Sequence, residues 1–394
     1  MHIREFCSCK LRTHRCAALA FIALFSLLAC NILANAQDRA PVAPPGDTLA
    51  AAGPLAQNLS SNINRHDLVK AMKLVADWQR KRLPADAQVD WTWAALYVGF
   101  MAVPNRVASD KYKQAMLHIA EQLHWQPGPR TLHADDLAIG QMYMEQYFIH
   151  KDAAMMVPLR ARLDAQIAMP DPRDPNRPLW WWCDALFMAP PVYADVAAAT
   201  GEKEYLVFMD HEWEITTALL YDHSKHLYFR DASYLDMHEK NGEPLFWSRG
   251  NGWVMGGIVR VLKELPRDSP LRAKYIALLR EMAAETLSIQ GKDGLWRPGL
   301  LDAEAYPLPE ISGSAFIAYA MAYGVNEGIL DRDTYWPAVE KAWAGMLTHV
   351  YADGRLGCIQ PVGAAPGAYT ETTSYAYGVG AFLLAGSEIY RSAK

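Results

Sequence analysis

The chain has 394 residues and a formal net charge of −5, and no run of basic residues stands out in it. This mildly acidic composition argues against nucleic acid or an anionic membrane surface as a partner. An anionic ligand would have to be held by a few placed arginines, because the overall charge does not attract it.

The first 36 residues have the pattern of an export signal. Four basic residues precede an apolar run at residues 16–34, and Ala34-Asn35-Ala36 forms a small-x-small cleavage site. A second interpretation is a lipoprotein signal, Leu27-Leu28-Ala29-Cys30, with the lipid on Cys30. We favour cleavage after Ala36, and both interpretations predict a periplasmic or secreted protein.

Residues 37–60 are rich in Ala, Pro and Gly and predict a flexible leader. No further linker follows, so residues 61–394 are predicted to form one catalytic domain. Beyond the signal only Cys183 and Cys358 remain, too few for a disulfide framework or a zinc site. One bridge between them is possible, but we favour two free buried thiols. We predict no metal and no cofactor.

Apolar residues recur at helical spacing almost throughout the chain, and the alternation typical of strands is nearly absent. We predict an all-α protein with twelve helices at 67–83, 91–102, 110–125, 134–151, 153–168, 183–200, 203–222, 252–266, 271–290, 311–328, 334–350 and 373–391. The odd members are amphipathic, whereas the even members are apolar all round and rich in small residues. This alternation predicts an (α/α)6 barrel with six inner and six outer helices.

The unusual polar and aromatic residues lie at the starts of the even helices. The six motifs are Asp90–Trp93, His133–Asp136, Trp180–Asp184, Trp247–Trp253, Pro309–Ser314 and Glu371–Tyr375. In a barrel of parallel inner helices these six starts meet at one mouth. Helix N-termini also suit anions, because free N–H groups point outward there.

Asp184 is the strongest catalytic candidate, because it follows three tryptophans and precedes an apolar run. A carboxyl group in such a wall should have a raised pKa, as a general acid requires. Structural burial is the alternative for this residue. Of Asp135 and Asp136, we expect one carboxylate to cap a helix and the other to project into the mouth.

Arg249 lies between two tryptophans in Gly/Asn-rich sequence, and its fork suits a sugar carboxylate. The alternative is an arginine that pins a loop. We expect further substrate contacts from His133 and from the tryptophans of the mouth motifs, Trp93, Trp181, Trp247 and Trp253. Core packing is the alternative for each tryptophan, and a loop or capping role for His133.

Four segments resemble glycoside hydrolase family 105, the unsaturated rhamnogalacturonyl hydrolases. They are Leu132–Gln141, Trp182–Ala189, Phe246–Val254 and Glu310–Ala315. The resemblance covers residues 65–392, and the Arg-Gly-Asn-Gly-Trp and Trp-x-Asp-x-Leu-Phe-Met-Ala blocks occur together and in the family's order.

The resemblance implies an (α/α)6 barrel without a metal that acts on oligosaccharides ending in a 4,5-unsaturated uronic acid, such as pectin fragments left by a lyase. It implies hydration of the double bond, with Asp184 as the acid/base and Asp135 as the second carboxylate. Arg249, Trp247 and Trp253 match the block that contacts substrate. The partner is thus an anionic oligosaccharide.

One position departs from the family pattern. Where relatives place a His in a Phe-Tyr-His run, this chain has Arg230 in the segment 226–231. We expect Arg230 to supply a positive charge to the substrate.

Two alternatives to this function remain open. A conventional (α/α)6 glycosidase would use Asp135 and Asp184 as a carboxylate pair, and the spacing that separates retaining from inverting enzymes cannot be derived from sequence. A non-catalytic oligosaccharide-binding protein is the other, although it would not need both carboxylates.

Overall fold

The computed structural model describes residues 48, 51–104, 110–169 and 178–394. The predicted export signal, including Cys30 and the cleavage site after Ala36, lies outside the described residues, as does the first part of the predicted leader. Among the described residues, no helix is long and apolar enough to cross a membrane.

Helices dominate the described part of the chain. The outer helices are α1 (Arg65–Arg80), α3 (Asp110–Gln122), α5 (Val157–Ile167), α8 (Glu204–Leu220), α10 (Leu271–Ser288) and α12 (Arg332–Leu347). The inner helices are α2 (Trp91–Ala102), α4 (Gly140–His150), α6 (Ala185–Met188), α7 (Pro190–Thr200), α9 (Ser248–Glu264), α11 (Ile311–Asn326) and α13 (Ala376–Ser392). A hairpin of β1 (Tyr221–Asp222) and β2 (Leu227–Tyr228) follows α8.

The inner helices form a closed ring. Contacts run from α2 to α4, α7, α9, α11 and α13 in turn, and α13 packs back onto α2. The predicted (α/α)6 barrel is therefore confirmed.

Burial follows the alternation seen in the sequence. Every residue of α11 from Ile311 to Val325 is buried, whereas α1 buries one face that includes Leu68, Met72 and Val75. A helix without a polar face is stable in water only when it is covered on all sides, and the outer ring provides that cover.

The helix predicted at 183–200 is in fact two helices. Pro190 cannot donate a backbone hydrogen bond, and its ring would clash with the carbonyl group four residues earlier. The first helix therefore ends at Met188, and a new helix, α7, begins with Pro190 as its first residue. The short helix α6 that results carries Asp184 at its N-terminal boundary.

Part of the predicted leader is bonded to the helical domain. Thr48 and Ser374 exchange backbone hydrogen bonds of 3.0 and 3.1 Å, and the N–H of Ala56 donates to the Val350 carbonyl at 2.9 Å. Cys183 and Cys358 are buried and free, as predicted.

Glycines bring the first and last inner helices close together. A Cβ atom on Gly380 of α13 would lie 2.2 Å from the carbonyl oxygen of Ala95 in α2, and one on Gly99 would lie 2.6 Å from the Gly380 backbone. Both contacts are with backbone, which cannot move aside. The ring thus closes at a position where no side chain fits.

We expect Gly380→Ala to lower the free energy of unfolding by about 1–3 kcal/mol, the cost of overpacking a close-packed interface. Gly386→Ala in the same helix is the matched control, because its new methyl group would meet the flexible Met72 thioether. Urea denaturation of both variants tests this. Equal losses would show that the α2–α13 contact is not specially close.

Candidate active site

A cavity of about 230 Å³ lies at the N-terminal ends of the inner helices. It is lined by Trp91, Asp135, Trp182, Asp184, Met188, Arg230, Trp247, Arg249, Trp253, Val362 and Gly363. Four of the six motifs predicted from the sequence converge here, together with two connecting segments, whereas Pro309–Ser314 and Glu371–Tyr375 do not line the cavity.

A larger groove of about 670 Å³ lies between the α7–α8 turn and the α9–α10 connection. Its lining includes exposed groups such as Val207, and it contains none of the mouth motifs. The smaller cavity is the candidate active site, because the buried carboxyl group of Asp184 and the half-buried one of Asp135 face it together with tryptophan rings.

Asp184 is held in the cavity wall by its neighbours in the chain. The N–H of Cys183 donates to the Arg230 carbonyl at 2.8 Å, and Trp182 forms an isolated antiparallel bridge with Asp231. The Asp184 side chain makes no capping hydrogen bond to α6. Its carboxyl group is therefore not used to cap the helix and can face the cavity.

Burial raises the pKa of Asp184 to about 6, and the charges of Arg230 and Arg249 oppose this rise. The closest cation is Arg230, whose Nε lies 3.6 Å from Asp184 Oδ2. Asp184 can therefore hold or release a proton near neutral pH, as a general acid must.

The two carboxylates of the Asp135-Asp136 pair have separate roles. Asp136 accepts bonds from the backbone N–H and the side chain of Arg130, at 2.5 to 2.9 Å. Asp135 instead faces the cavity. Burial and the charge of Asp184 raise the pKa of Asp135 to about 7. The two cavity carboxyls thus titrate as a coupled pair.

His133 lies beside this pair but does not line the cavity. Its Nδ1 is 3.5 Å from Asp135 Oδ2, and its ring is 4.8 Å from that of Trp182. Burial and the charge of Arg130 lower the pKa of His133. His133 thus packs against Asp135 in its neutral form at neutral pH.

Arg249 lines the cavity, but its guanidinium group is bonded to the protein backbone. Its two terminal nitrogens donate to the carbonyl oxygens of Gln360 and Pro361, both at 2.7 Å. The guanidinium lies between the rings of Trp247 and Tyr377, at 4.3 and 4.9 Å. Only Nε is without a partner. Arg249 therefore anchors the loop at residues 361–367, which is the alternative role considered for it.

The predicted tryptophans divide into two groups. Trp247 and Trp253 line the cavity, and the Trp247 indole N–H donates to Gln360 Oε1 at 3.0 Å. Trp93 is instead buried against Tyr97, 6.5 Å between rings. Trp181 does not line the cavity either, but lies behind Trp182 at 4.8 Å.

Sequence reasoning missed Trp91, Trp182, Met188 and the edge formed by Val362 and Gly363, all of which line the cavity. Trp91 stacks on Tyr377 at 5.4 Å and meets the edge of Trp253 at 5.9 Å. The Trp-Thr-Trp motif contains Trp91 as well as Trp93, so the sequence offered two candidates for one position in the cavity. Two residues along a helix turn a side chain by roughly 200°, so Trp91 and Trp93 cannot share a face.

Within the described residues, no group of three His, Cys, Asp or Glu side chains is arranged to hold a metal ion.

Cleavage of a sugar linkage requires a carboxyl group that can donate a proton near neutral pH and a second carboxyl group beside it. Both are present here, in a cavity that is walled by tryptophans and has the size of one sugar ring. Fold and site together define a glycoside hydrolase. Residues 65–393 match Glycosyl Hydrolase Family 88, and the chain belongs to this family.

Known relatives agree with this assignment. An unsaturated 3S-rhamnoglycuronyl hydrolase from Formosa agariphila is 37% identical over 346 residues, which cover 84% of this chain and 92% of the relative. A solved family 88 glycosyl hydrolase from Bacteroides vulgatus is 30% identical, with a TM-score of 0.78 over 83% of this chain and 99% of that one.

A solved structure from Salmonella enterica, described as a possible member of the GH105 family, shares the fold at 20% identity. Its TM-score is 0.70, over 86% of this chain and 99% of that one. The match to family 88 and the Formosa relative, named an unsaturated 3S-rhamnoglycuronyl hydrolase, confirm the resemblance predicted from the sequence.

We expect Arg249→Lys to destabilise the protein by about 1.5–3 kcal/mol, since an ammonium group cannot make both bonds of the planar fork. The 361–367 loop should become more sensitive to proteases. Arg267→Lys is the control, because this side chain is 77% exposed and forms a surface ion pair. Unchanged stability and unchanged proteolysis in Arg249→Lys would contradict the anchoring role.

Proposed function

We propose that the protein releases a terminal 4,5-unsaturated uronic acid from oligosaccharides that a polysaccharide lyase has produced, by hydration of the double bond. The observation that carries this proposal is the pair of cavity carboxyl groups, buried Asp184 and half-buried Asp135, with pKa values raised to about 6 and 7. The name of the Formosa relative, an unsaturated rhamnoglycuronyl hydrolase, supports the same substrate class.

The cavity suits one sugar ring and not a chain. Its volume of about 230 Å³ is below the range of roughly 300–1,000 Å³ for larger ligands. Trp91, Trp247 and Trp253 offer ring faces and edges to the apolar side of a sugar. A terminal residue can therefore enter while the rest of the oligosaccharide remains outside.

In the proposed reaction Asp184 donates its proton to C4 of the unsaturated sugar. The resulting positive charge is shared between C5 and the ring oxygen, and the carboxylate that Asp184 becomes on giving up its proton stabilises it. Water adds at C5, and Asp184 recovers a proton from that water. The product is a hemiketal that opens to a keto sugar and expels the remaining oligosaccharide.

For the substrate, we propose an oligosaccharide in which the unsaturated uronic acid is linked to rhamnose. This linkage is common to the pectin-type fragments expected from the sequence and to the substrate class in the name of the Formosa relative. Turnover of both kinds of fragment, measured side by side, would decide between them.

We also propose that the protein is exported. The basic start, the apolar run at residues 16–34 and the small-x-small site support export, with the alternative of a lipid on Cys30. Export would place the enzyme with lyase products outside the cytoplasm. N-terminal sequencing of the mature protein, together with fractionation, tests this proposal.

Hydration and conventional hydrolysis differ in the substrates that the enzyme should turn over. Hydration consumes the double bond, so the ultraviolet absorbance of the unsaturated uronic acid should disappear as the oligosaccharide is released. The saturated analogue, which has no vinyl ether to protonate, should bind without turnover. Turnover of the saturated analogue at a comparable rate would instead support the carboxylate-pair glycosidase, which the coupled carboxyl groups would also permit.

Asp184→Asn keeps the shape of the side chain but removes the proton donor. We expect kcat to fall by about 10²–10⁴, the usual value of a general acid–base group. The fold should survive, because the side chain makes no capping bond to α6. More than about a tenth of wild-type kcat, in a variant with an unchanged Tm, would remove Asp184 from this role.

A further inference from the structure

Arg230 and Asp231 lie directly behind the candidate general acid. Arg230 contacts this segment twice: its carbonyl oxygen accepts the N–H of Cys183, the residue before Asp184, at 2.8 Å, and its Nε lies 3.6 Å from Asp184 Oδ2. Its guanidinium carbon is also 5.5 Å from the centre of the Trp181 ring. Arg230 thus contacts the backbone next to Asp184 and the Asp184 carboxyl group.

Asp231 in turn holds Arg230. One carboxylate oxygen of Asp231 accepts from Arg230 NH1 at 2.5 Å. The other accepts from the backbone N–H and the hydroxyl of Ser233, at 2.8 and 2.5 Å. Asp231 is 7% exposed and does not line the cavity. Its carboxylate is therefore fixed on one side by a tight turn and on the other by the guanidinium.

We propose that Arg230 and Asp231 act as a positioning pair for Asp184: Asp231 fixes the guanidinium of Arg230, and that guanidinium fixes the orientation and charge environment of the Asp184 carboxyl group. This inference deepens the proposed function and rests on it for the role of Asp184 as acid. Arg230 can also face the substrate, because it lines the cavity.

The two members of the pair act on Asp184 in opposite directions. The positive charge of Arg230 lowers the pKa of Asp184, and the negative charge of Asp231 raises it. Charge alone would therefore shift the pKa of Asp184 in opposite directions when one or the other member is removed. If Asp231 acts by fixing Arg230, its removal instead loosens that guanidinium and shifts the pKa in the same direction as removal of Arg230.

Other charged or titratable groups around Asp184 remain constant in this comparison. Arg249 adds positive charge from α9, and Asp135 adds negative charge from the far wall. The Cys183 thiol lies 4.0 Å away, and the Tyr234 hydroxyl interacts with Asp184 through space. Because none of them changes between the variants, a difference in titration reports on the pair.

The test compares Arg230→Gln and Asp231→Asn with the control Asp222→Asn. Asp222 makes the same kind of turn contact, to the N–H and hydroxyl of Ser224, but lies on the hairpin without a guanidinium partner. The pKa of Asp184 is followed by carbon-13 NMR of labelled aspartate carboxyls, and its signal is identified by its absence in Asp184→Asn. This readout needs no substrate.

We expect Arg230→Gln to raise the pKa of Asp184 by about 1–3 units, the usual effect of losing a close opposite charge. Asp231→Asn should raise it by a smaller amount, because Arg230 then loses its anchor and moves away from Asp184. Asp222→Asn should leave it unchanged. Equal pKa values in all four proteins, or a lowered pKa in Asp231→Asn as its charge alone would give, would overturn the inference.

The alkaline limb of kcat/KM against pH provides the second measurement. A general acid must be protonated, so the limb should move to higher pH in Arg230→Gln and, by less, in Asp231→Asn, whatever happens to the plateau rate. If Arg230→Gln folds poorly, Arg230→Lys takes its place. This variant keeps the positive charge, so its alkaline limb should lie close to that of the wild type. Shifts seen by NMR without turnover of unsaturated oligosaccharide in the wild type would reject the proposed function and leave the pair intact.

Discussion

A helix without a polar face can carry chemistry only at its ends, and the structure follows from this constraint. In α9 every residue from Ser248 to Leu262 is buried, and α11 is covered from Ile311 to Val325. Polar side chains that must meet a ligand are thus confined to helix termini. Because six such helices run in parallel, their N-terminal ends form one rim, and the low-polarity wall beneath it raises the pKa of the carboxyls placed there.

The carboxyls of the site and the cation beside Asp184 come from different parts of the fold. Asp135 and Asp184 lie at inner-helix starts, where the barrel fixes them. Arg249 also lies at such a start, but its guanidinium binds the loop that contributes Val362, whereas Arg230 comes from the segment after the hairpin. The acid chemistry is therefore built on the inner helices, and the connecting segments shape the cavity around it and supply the cation next to the acid.

The sequence was sufficient for the barrel, because the period of the apolar pattern and the alternation of exposed and buried helices are local properties. It also located the rim and both carboxyls. It could not distinguish Trp91 from Trp93, since the choice depends on how α2 is rotated in the ring. The partner of the Arg249 fork was equally inaccessible, because the carbonyls of Gln360 and Pro361 lie far away in the chain. Contacts between distant segments decide such details.

Closure of the ring has a kinetic consequence. The contact between α2 and α13, like the bond from the Trp78 indole to Asp353, joins residues at opposite ends of the domain, the latter 275 positions apart. Contacts of such sequence separation form late, since loop entropy must be paid first. A chain that emerges from the ribosome cannot complete its barrel until its last helix exists. The polypeptide therefore lacks its closed barrel for as long as synthesis continues, a delay that would suit the export proposed above.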